Sequence, residues 1–286
     1  MRTRQGHLAI RCREVGEVMH PGVGPLAEAR LLYVSQSRLG ERLRARDGVP
    51  DGTQDETRDA TSDGTPLVLF DVGLGAGSNA LAAWEESAQA PATARPLEII
   101  SFERDLGALH LGLSLPAGDA GALGFTPASA EAARALLVAG EHRNARTHWR
   151  LWQGELLPAL AAERSPADIV FWDPFSPRAN PELWTVGAFA AVRARAGTRC
   201  TLFTYSASTA TRVALLLAGW AVGVGDPVGD KAETTAAAVD GRDLARPLGL
   251  RFLDRLGRSQ APLPADAPPD ARDRIATAPQ FAAWSE

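Results

Sequence analysis

From residue 67 onward, apolar runs of strand length alternate with stretches in which apolar residues recur at helical spacing. The strand-like runs cover 67–71, 97–103, 147–153, 168–173, 201–205, 220–224 and 234–239, and the helical patterns cover 79–89, 128–139, 155–163, 181–194 and 208–218. Strands that alternate with helices form mainly parallel sheets covered on both faces. We therefore predict an α/β fold with a mainly parallel, seven-stranded sheet. Because little separates the last two runs, we expect an antiparallel pair at one edge.

The chain outside this alternation divides into three further segments. Residues 1–46 form a small basic N-terminal extension, and residues 47–66 are rich in acidic residues, Gly and Pro. Such a composition buries too little surface to order itself, so we expect 47–66 to be an exposed loop or linker. Residues 67–240 form the α/β domain. Residues 241–286 form a C-terminal tail, which we expect to be poorly ordered from Gly257 onward, with Phe281 and Trp284 available to dock its end.

The charge distribution excludes a protein that is basic over its whole surface. The formal net charge is -4, although residues 1–46 carry nine Arg and four Glu, whereas residues 47–63 carry six acidic residues and one Arg. Binding of nucleic acid over a whole surface requires an excess of cations, so only the N-terminal segment has the charge to contact phosphates. Eight arginines of this segment either form a solvated face or contact a nucleic-acid backbone. They are Arg2, Arg4, Arg11, Arg13, Arg38, Arg42, Arg44 and Arg46.

Membrane and metal partners are not indicated. No apolar run reaches the roughly 20 residues that a membrane helix needs, and the first ten residues lack the apolar stretch of a signal peptide. Cys12 and Cys200 form neither a disulfide framework nor a metal-ligand spacing. We expect a cytoplasmic protein without a bound metal, and the sequence leaves its oligomeric state open.

A glycine-rich loop follows the first strand. Asp71 ends the strand, and Gly73, Gly75 and Gly77 alternate with other residues before the next helix. Glycines at such a turn allow positive φ and close approach of a ligand to the main chain. The dinucleotide fingerprint G-x-G-x-x-G is not matched, because Ser78 or Ala80 occupies its last position.

Acidic residues also end the neighbouring strands, where ligands bind in open parallel sheets. Glu103 ends the second strand, in the position of an acid that hydrogen-bonds the two hydroxyls of a ribose. Gly154 and Glu155 follow the strand 147–153, where they can contact an adenine amino group. A pocket with several carboxylates and no cluster of cations suits a cationic nucleoside better than a pyrophosphate. We therefore predict that S-adenosyl-L-methionine is the cofactor.

These motifs carry a resemblance to a known family. The sequence resembles the class I S-adenosylmethionine-dependent methyltransferases, which have a Rossmann-like fold, and more narrowly the methyltransferase domain of the tRNA wobble-uridine modifying enzymes of the MnmC type. The resemblance rests on D-V-G-L-G-A-G at 71–77, S-F-E at 101–103, Q-G-E at 153–155 and D-P-F-S-P-R-A-N-P at 173–181. It extends to E-A-R at 28–30, Y-V at 33–34 and K-A-E-T at 231–234.

The resemblance implies methylation of the amino group of 5-aminomethyl-(2-thio)uridine at the tRNA wobble position. It assigns Asp173 as the catalytic residue and places Phe175, Asn180 and Lys231 on the acceptor side. An alkylamine is protonated at neutral pH, so a carboxylate beside it can accept the proton that blocks its attack. The sequence departs from the family pattern at Pro174 and Ser176. The bifunctional members also carry an oxidase domain that is not found in these 286 residues, so we expect the amine to be made elsewhere.

Two other interpretations remain open at this point. The acidic net charge, with Pro174 and Ser176, is compatible with a methyltransferase that acts on a small-molecule amine. A non-catalytic protein that has kept a nucleoside pocket is the other alternative. Retention of Asp71, Glu103 and Asp173 together argues against it.

Overall fold

The computed structural model describes residues 1–3, 6–19, 23–45, 64–229 and 231–282. Within these residues the chain forms one sheet of eight strands in the order β3-β4-β2-β1-β5-β6-β8-β7. The strands are β1 (Leu67–Val72), β2 (Leu97–Glu103), β3 (Glu141–Arg143), β4 (Thr147–Gln153), β5 (Ala167–Trp172), β6 (Ala196–Thr204), β7 (Ala221–Gly225) and β8 (Thr234–Ala238). Residues 47–63 of the predicted linker 47–66 lie outside the described residues, and only 64–66 are described.

The centre of the sheet is parallel, as predicted. Strands β4, β2, β1, β5 and β6 pair in parallel, and β8 pairs antiparallel with both β6 and β7. The antiparallel pair at one edge is therefore present, with the reversed strand β8 one place inside that edge. The eighth strand, β3, was not predicted because its three residues are polar and too few to show a pattern. It pairs antiparallel with β4, so that Arg143 lies opposite His148.

Helices cover both faces of the sheet. They are α1 (Pro25–Glu28), which continues as a π-helix over Ala29–Ser35, α2 (Leu39–Arg44), α3 (Ser78–Gln89), α4 (Gly107–Ser114), α5 (Ala117–Ala122), α6 (Pro127–Ala139), α7 (Leu156–Ala162), α8 (Val186–Arg193), α9 (Thr209–Leu217), α10 (Leu250–Arg258), α11 (Ala271–Ala276) and α12 (Pro279–Ala282). Alternate residues of β1 enter opposite cores, with Leu69 in one and Phe70 in the other. This follows from the two-residue period of a strand. No helix in the described part of the chain is long and apolar enough to cross a membrane.

Both ends of the chain contribute to these cores. Leu32, Tyr33 and Leu39 pack in the same core as α3 and α6 and are fully buried. On the other face Ile275 and Phe281 are each 1% exposed and pack against the core. The predicted poor order from Gly257 onward is thus wrong for 257–282, because apolar residues spaced between the prolines anchor this segment to the sheet. Trp284 lies outside the described residues.

The predicted helix over 181–194 is interrupted. A 3-10 turn covers Pro181–Leu183, and α8 begins only at Val186. Thr185 causes the break, because its side chain accepts a hydrogen bond from the Ala188 N–H and so caps a new helix. The separate turn leaves Trp184 beside the loop that follows β5.

Candidate active site

The loop after β1 approaches the loop after β5 very closely. Gly73, Gly75 and Gly77 have φ values of 87°, 54° and 93°, in the region that favours glycine. A Cβ atom at Gly73 would lie 2.7 Å from the carbonyl oxygen of Asp173. The strand order places these two loops side by side, since β1 pairs with β5. Gly73 is therefore required both by its conformation and by the neighbouring backbone.

Glu103 is fixed by main-chain hydrogen bonds at the end of β2. Its Oε2 accepts from the Gly75 N–H at 2.9 Å, and its Oε1 accepts from the N–H groups of Arg104 and Asp105 at 2.8 and 2.9 Å. A carboxylate has about four acceptor positions, so capacity remains for a further donor. Glu103 thus holds the glycine loop and still presents a carboxylate to the cavity.

Asp71 lies beneath the glycine loop. It is completely buried, and the Ser101 hydroxyl donates to its Oδ2 at 2.8 Å, while Trp149 donates to the Ser101 oxygen at 2.9 Å. Burial raises the pKa of Asp71 to about 7, and the charges of Asp173 and Glu103 act in the same direction. Asp71 does not line the cavity, so its predicted direct contact with the cofactor is revised to support of the loop from below.

Gly77 is revised in the same way. A Cβ atom there would meet Leu109 at 3.3 Å and Leu81 at 3.5 Å, which are core side chains. Gly77 therefore allows α3 to start against the core rather than exposing main chain to a ligand.

A cavity of about 470 Å³ opens where β1, β2, β4 and β5 end. It brings together most of the predicted site residues, namely Gly73, Gly75, Glu103, Gly154, Glu155, Asp173, Phe175, Asn180 and Lys231. Sequence reasoning missed three contributors. Residues from 10–19 form one wall, and Glu28 and Tyr205 also line the cavity. Glu28 belongs to the E-A-R string of the family resemblance, but that string did not assign it to the site. Nothing in the sequence indicated that residues from 10–19 or Tyr205 line the cavity.

Asp173 lies at the end of β5 in contact with two buried groups. The Asn79 side-chain amide donates to Asp173 Oδ2 at 2.7 Å. Burial raises the pKa of Tyr33 well above its usual value, and the nearby Asp173 carboxylate raises it further. The Tyr33 hydroxyl donates to the Trp172 carbonyl oxygen at 3.4 Å. The hydrogen bond from Asn79 thus orients a carboxylate that lines the cavity.

The loop after β5 is held from three directions. The Tyr205 hydroxyl donates to the Pro174 carbonyl at 3.1 Å, and the Trp184 indole N–H donates to the Phe175 carbonyl at 2.8 Å. Both the N–H and the hydroxyl of Ser176 donate to the Glu17 carboxylate. The departure from the family pattern at Ser176 therefore has a structural role, because it joins this loop to the N-terminal wall.

The far side of the cavity is more open. The Gly154 N–H donates to the Glu103 carbonyl at 2.9 Å, so the loop after β4 sits beside that of β2. Gly154 has φ 132°, and a Cβ atom there would have no neighbour within 4 Å. The Glu155 side chain is 61% exposed and lies 3.7 Å from Arg104. Gly154 and Glu155 thus leave room for a flat group next to exposed main chain.

The lining of the cavity is strongly acidic. Eight lining residues are Asp or Glu, and three are Lys or Arg. Such a lining favours cationic ligands, because like charges repel and opposite charges attract across a partly desolvated site.

Comparison with known proteins agrees with this geometry. Residues 128–240 match the sequence model of a family described as S-adenosyl-L-methionine-dependent methyltransferase. The chain is 30% identical over 259 residues to the tRNA 5-methylaminomethyl-2-thiouridine biosynthesis bifunctional protein MnmC of Pseudomonas aeruginosa, and 27% identical over 253 residues to that of Methylibium petroleiphilum. The alignments cover 87% and 82% of this chain but 36% and 33% of the relatives. The chain thus spans about a third of their length.

The fold has a counterpart among solved structures. The crystal structure of MnmC2 from Aquifex aeolicus matches with a TM-score of 0.66 at 23% identity, covering 96% of this chain and 83% of that chain. This chain carries an S-adenosyl-L-methionine-dependent methyltransferase domain. The predicted enzyme class, cofactor and Rossmann-like methyltransferase fold are confirmed.

The methyltransferase cavity fits its cofactor in shape and charge. Gly73 and Gly75 expose main chain along one side, and the fixed Glu103 carboxylate can accept hydrogen bonds from ribose hydroxyls. Gly154 leaves open space beside the end of β4. The acidic lining matches the positive sulfonium and amino groups of S-adenosyl-L-methionine. The residues from which the cofactor was predicted thus suit S-adenosyl-L-methionine, except that Asp71 and Gly77 do not line the cavity.

The described N-terminal arginines of the methyltransferase differ in their contacts. Arg42 is partly buried, and donates to Thr201 Oγ1 at 2.9 Å and to the Asp168 carbonyl at 3.0 Å. Arg2, Arg38 and Arg44 form ion pairs with acidic residues. Arg11 lines the cavity. Arg4 and Arg46 lie outside the described residues. The inclusion of Arg42 among the phosphate-binding candidates is therefore wrong, because its guanidinium joins α2 to the sheet.

Proposed function

We propose that this domain methylates the nitrogen of an alkylamine, and that its acceptor is the aminomethyl group of 5-aminomethyl-(2-thio)uridine at the tRNA wobble position. The observation that carries the proposal is Asp173, an oriented carboxylate at the end of β5 in an acidic cavity. The MnmC relatives, which are named for the biosynthesis of 5-methylaminomethyl-2-thiouridine in tRNA, support the choice of acceptor.

The chemistry needs a group that takes a proton from the acceptor. An alkylammonium has no lone pair until it loses one proton, and a carboxylate within hydrogen-bonding distance can accept it. S-adenosyl-L-methionine supplies an activated methyl group on a sulfonium. Held by Gly73, Gly75 and Glu103, the cofactor would supply the methyl group and leave as a neutral thioether, and the proton lost by the acceptor nitrogen passes to Asp173. The hydrogen bond from Asn79 keeps the carboxylate oriented during this exchange.

A methyl-transfer assay with two matched variants tests the proposal. The acceptor is tRNA from cells that accumulate the aminomethyl form, and the variants are Asp173→Asn and Asp270→Asn. Asp270 pairs with Arg274 on the exposed surface and does not line the cavity. We expect Asp173→Asn to lower kcat about 10²–10⁴-fold, the range typical of a general base, while Asp270→Asn stays active. Cofactor binding measured by calorimetry confirms that each variant is folded. Equal rates for the two variants would exclude Asp173 as the base.

A small-molecule amine is the second candidate acceptor. The acidic lining favours it, because a phosphate backbone near eight carboxylates is repelled. The engagement of Arg2, Arg38 and Arg44 in ion pairs also leaves fewer cations to contact tRNA.

Measurements of tRNA binding and of methyl transfer to each kind of acceptor distinguish these candidates. Arg11→Met should weaken tRNA binding and reduce its salt dependence if tRNA is the acceptor, since each lost phosphate contact lowers the salt slope by about one unit. If a small amine is the acceptor, tRNA gives no methyl transfer and its binding does not respond to this substitution. Methylation of a small primary amine by the same preparation then identifies the alternative.

A further inference from the structure

The ammonium group of Lys231 occupies a defined position at the cavity. Its Nζ lies 4.4 Å from the centre of the Tyr205 ring and 3.8 Å from Oε1 of Glu28. A cation over an aromatic face within about 6 Å of the ring centre is attracted by the ring quadrupole. All three residues line the cavity that contains Asp173. The protein's own ammonium group thus sits where an aromatic face and a carboxylate converge.

The two partners of this ammonium are held rigidly. The Glu28 side chain is 9% exposed, and it extends from the end of α1 into the cavity. The Tyr205 hydroxyl is fixed by its hydrogen bond to the Pro174 carbonyl, and the Tyr205 ring packs edge-on against Trp184 at 5.6 Å. Burial raises the pKa of Tyr205, and the charges of Asp173, Glu17 and Glu28 raise it further, in line with their proximity. Glu28 and Tyr205 therefore form a preformed recess for a cation.

Lys231 differs from Glu28 and Tyr205 because its side chain can move out of the cavity into solvent. Its side chain is 45% exposed, and a lysine has a flexible four-carbon stem. Its main chain is fixed by reciprocal hydrogen bonds with Val228, so that only the side chain needs to move. Departure of the Lys231 ammonium to solvent would open the space between the Tyr205 ring and the Glu28 carboxylate to another cation.

We propose that Glu28 and Tyr205 form the subsite that recognises the acceptor as an ammonium ion, and that Lys231 fills this subsite until the acceptor displaces it. The inference rests on the proposed function in one respect, namely that the acceptor is an alkylamine. The subsite holds the protonated amine next to Asp173, which then receives its proton. Lys231 acts as a built-in competitor that keeps an ammonium ion beside the Glu28 carboxylate when no acceptor is bound.

A single nuclear magnetic resonance signal can report this displacement. Lys231 is the only lysine in the sequence, so labelling the protein with lysine that carries ¹³C at Cε alone gives one labelled side-chain resonance. The Tyr205 ring should shift the Cε signal upfield in the free protein. Ethylammonium chloride, which lacks a nucleoside, should move the signal toward its position in a free peptide, whereas potassium chloride at equal ionic strength should not. Tyr205→Leu should abolish the upfield shift before any ligand is added.

Two substitutions test affinity directly by calorimetry with nucleoside probes. The probes are 5-aminomethyluridine and its uncharged analogue 5-hydroxymethyluridine. Glu28→Gln should lower the affinity for 5-aminomethyluridine by at least about tenfold and leave the affinity for 5-hydroxymethyluridine unchanged. Lys231→Met should strengthen binding of the amine probe several-fold. The apparent affinity is reduced by the fraction of molecules in which Lys231 occupies the subsite, and this substitution removes that occupancy.

The outcomes separate this inference from the proposed acceptor. A Lys231 signal that ethylammonium does not move, or a Lys231→Met variant that binds the amine probe more weakly, would overturn the subsite. Displacement by ethylammonium with no response to 5-aminomethyluridine would support the subsite and count against the uridine acceptor. Methyl transfer to tRNA with an unmoved Lys231 signal would support the proposed function and refute the subsite.

Discussion

Asp71 should make the stability of the protein fall as the pH rises through neutrality. Its native pKa of about 7 lies above the ordinary value of 3.8 because it is buried beneath the glycine loop. The native state therefore keeps a proton that the unfolded chain has lost, and stability decreases with pH wherever the native state binds more protons. The loss begins above about pH 4 and ends slightly above pH 7. Replacement by Asn removes this titration.

The expected size of the effect follows from the difference between the two pKa values. Between pH 5.5 and 8.0 the unfolded carboxyl is already ionised, while the native one ionises near pH 7. About 1.5 pH units of the full slope lie in this interval, and each unit corresponds to about 1.4 kcal/mol, which gives roughly 2 kcal/mol. The Asn side chain also places an amide where Asp71 Oδ1 has no hydrogen-bond partner. That cost is independent of pH and leaves the slope unaffected.

Urea unfolding at pH 5.5 and pH 8.0 measures the difference. Between pH 5.5 and pH 8.0, the free energy of unfolding should fall by about 2 kcal/mol more for the wild type than for Asp71→Asn. Asp240→Asn is the control, since hydrogen bonds from Arg242 lower the pKa of Asp240 to about 2 and it does not titrate in this range. Parallel slopes for the wild type and Asp71→Asn would mean that Asp71 is ionised throughout, and the burial argument would fail.

Three further predictions follow from individual contacts. Gly73→Ala should abolish cofactor binding in calorimetry because its Cβ meets the Asp173 backbone, whereas Gly219→Ala, with φ 84° and open space around it, should lose only stability. Glu103→Gln should weaken the cofactor about tenfold, consistent with a lost charge-assisted hydrogen bond to ribose, and unchanged affinity would remove Glu103 from the site. Arg42→Met should lower the unfolding free energy by about 1–3 kcal/mol through unpaired buried acceptors, and Arg38→Met, at an exposed ion pair, by less than about 1 kcal/mol in the same urea titration.

The sequence predicted those parts of the structure that depend on local pattern. Strands β1, β2, β4 and β5 were placed within one residue, because continuous apolar runs bounded by Gly or acidic residues are typical of buried parallel strands. The acids at their ends lie at one edge of the sheet for the same reason, since parallel strands end together. Glu103, Glu155 and Asp173 could therefore be assigned to one site from the sequence alone.

The remaining features depend on contacts between distant parts of the chain. Tyr205 follows a strand that was predicted, but its position beside Lys231 and Glu28 depends on how α1 and the β7–β8 connection meet over the sheet. Arg42 has the appearance of a surface cation in sequence, and only its contact with the sheet reveals its structural role. Asp71 could not be separated from the other acids, because its burial depends on packing by α3 and Trp149.

The close approach of Gly73 to Asp173 joins the two halves of the reaction. With only 2.7 Å between a would-be Cβ at Gly73 and the Asp173 carbonyl oxygen, the glycine loop cannot move toward the acceptor side without pushing the backbone that carries the base. If the cofactor and the acceptor bind as proposed, they therefore lie on opposite sides of one contact between two loops. A shift of either loop would then change the binding of both ligands, and thermodynamic linkage requires that the cofactor and the acceptor affect each other's affinity to the same extent.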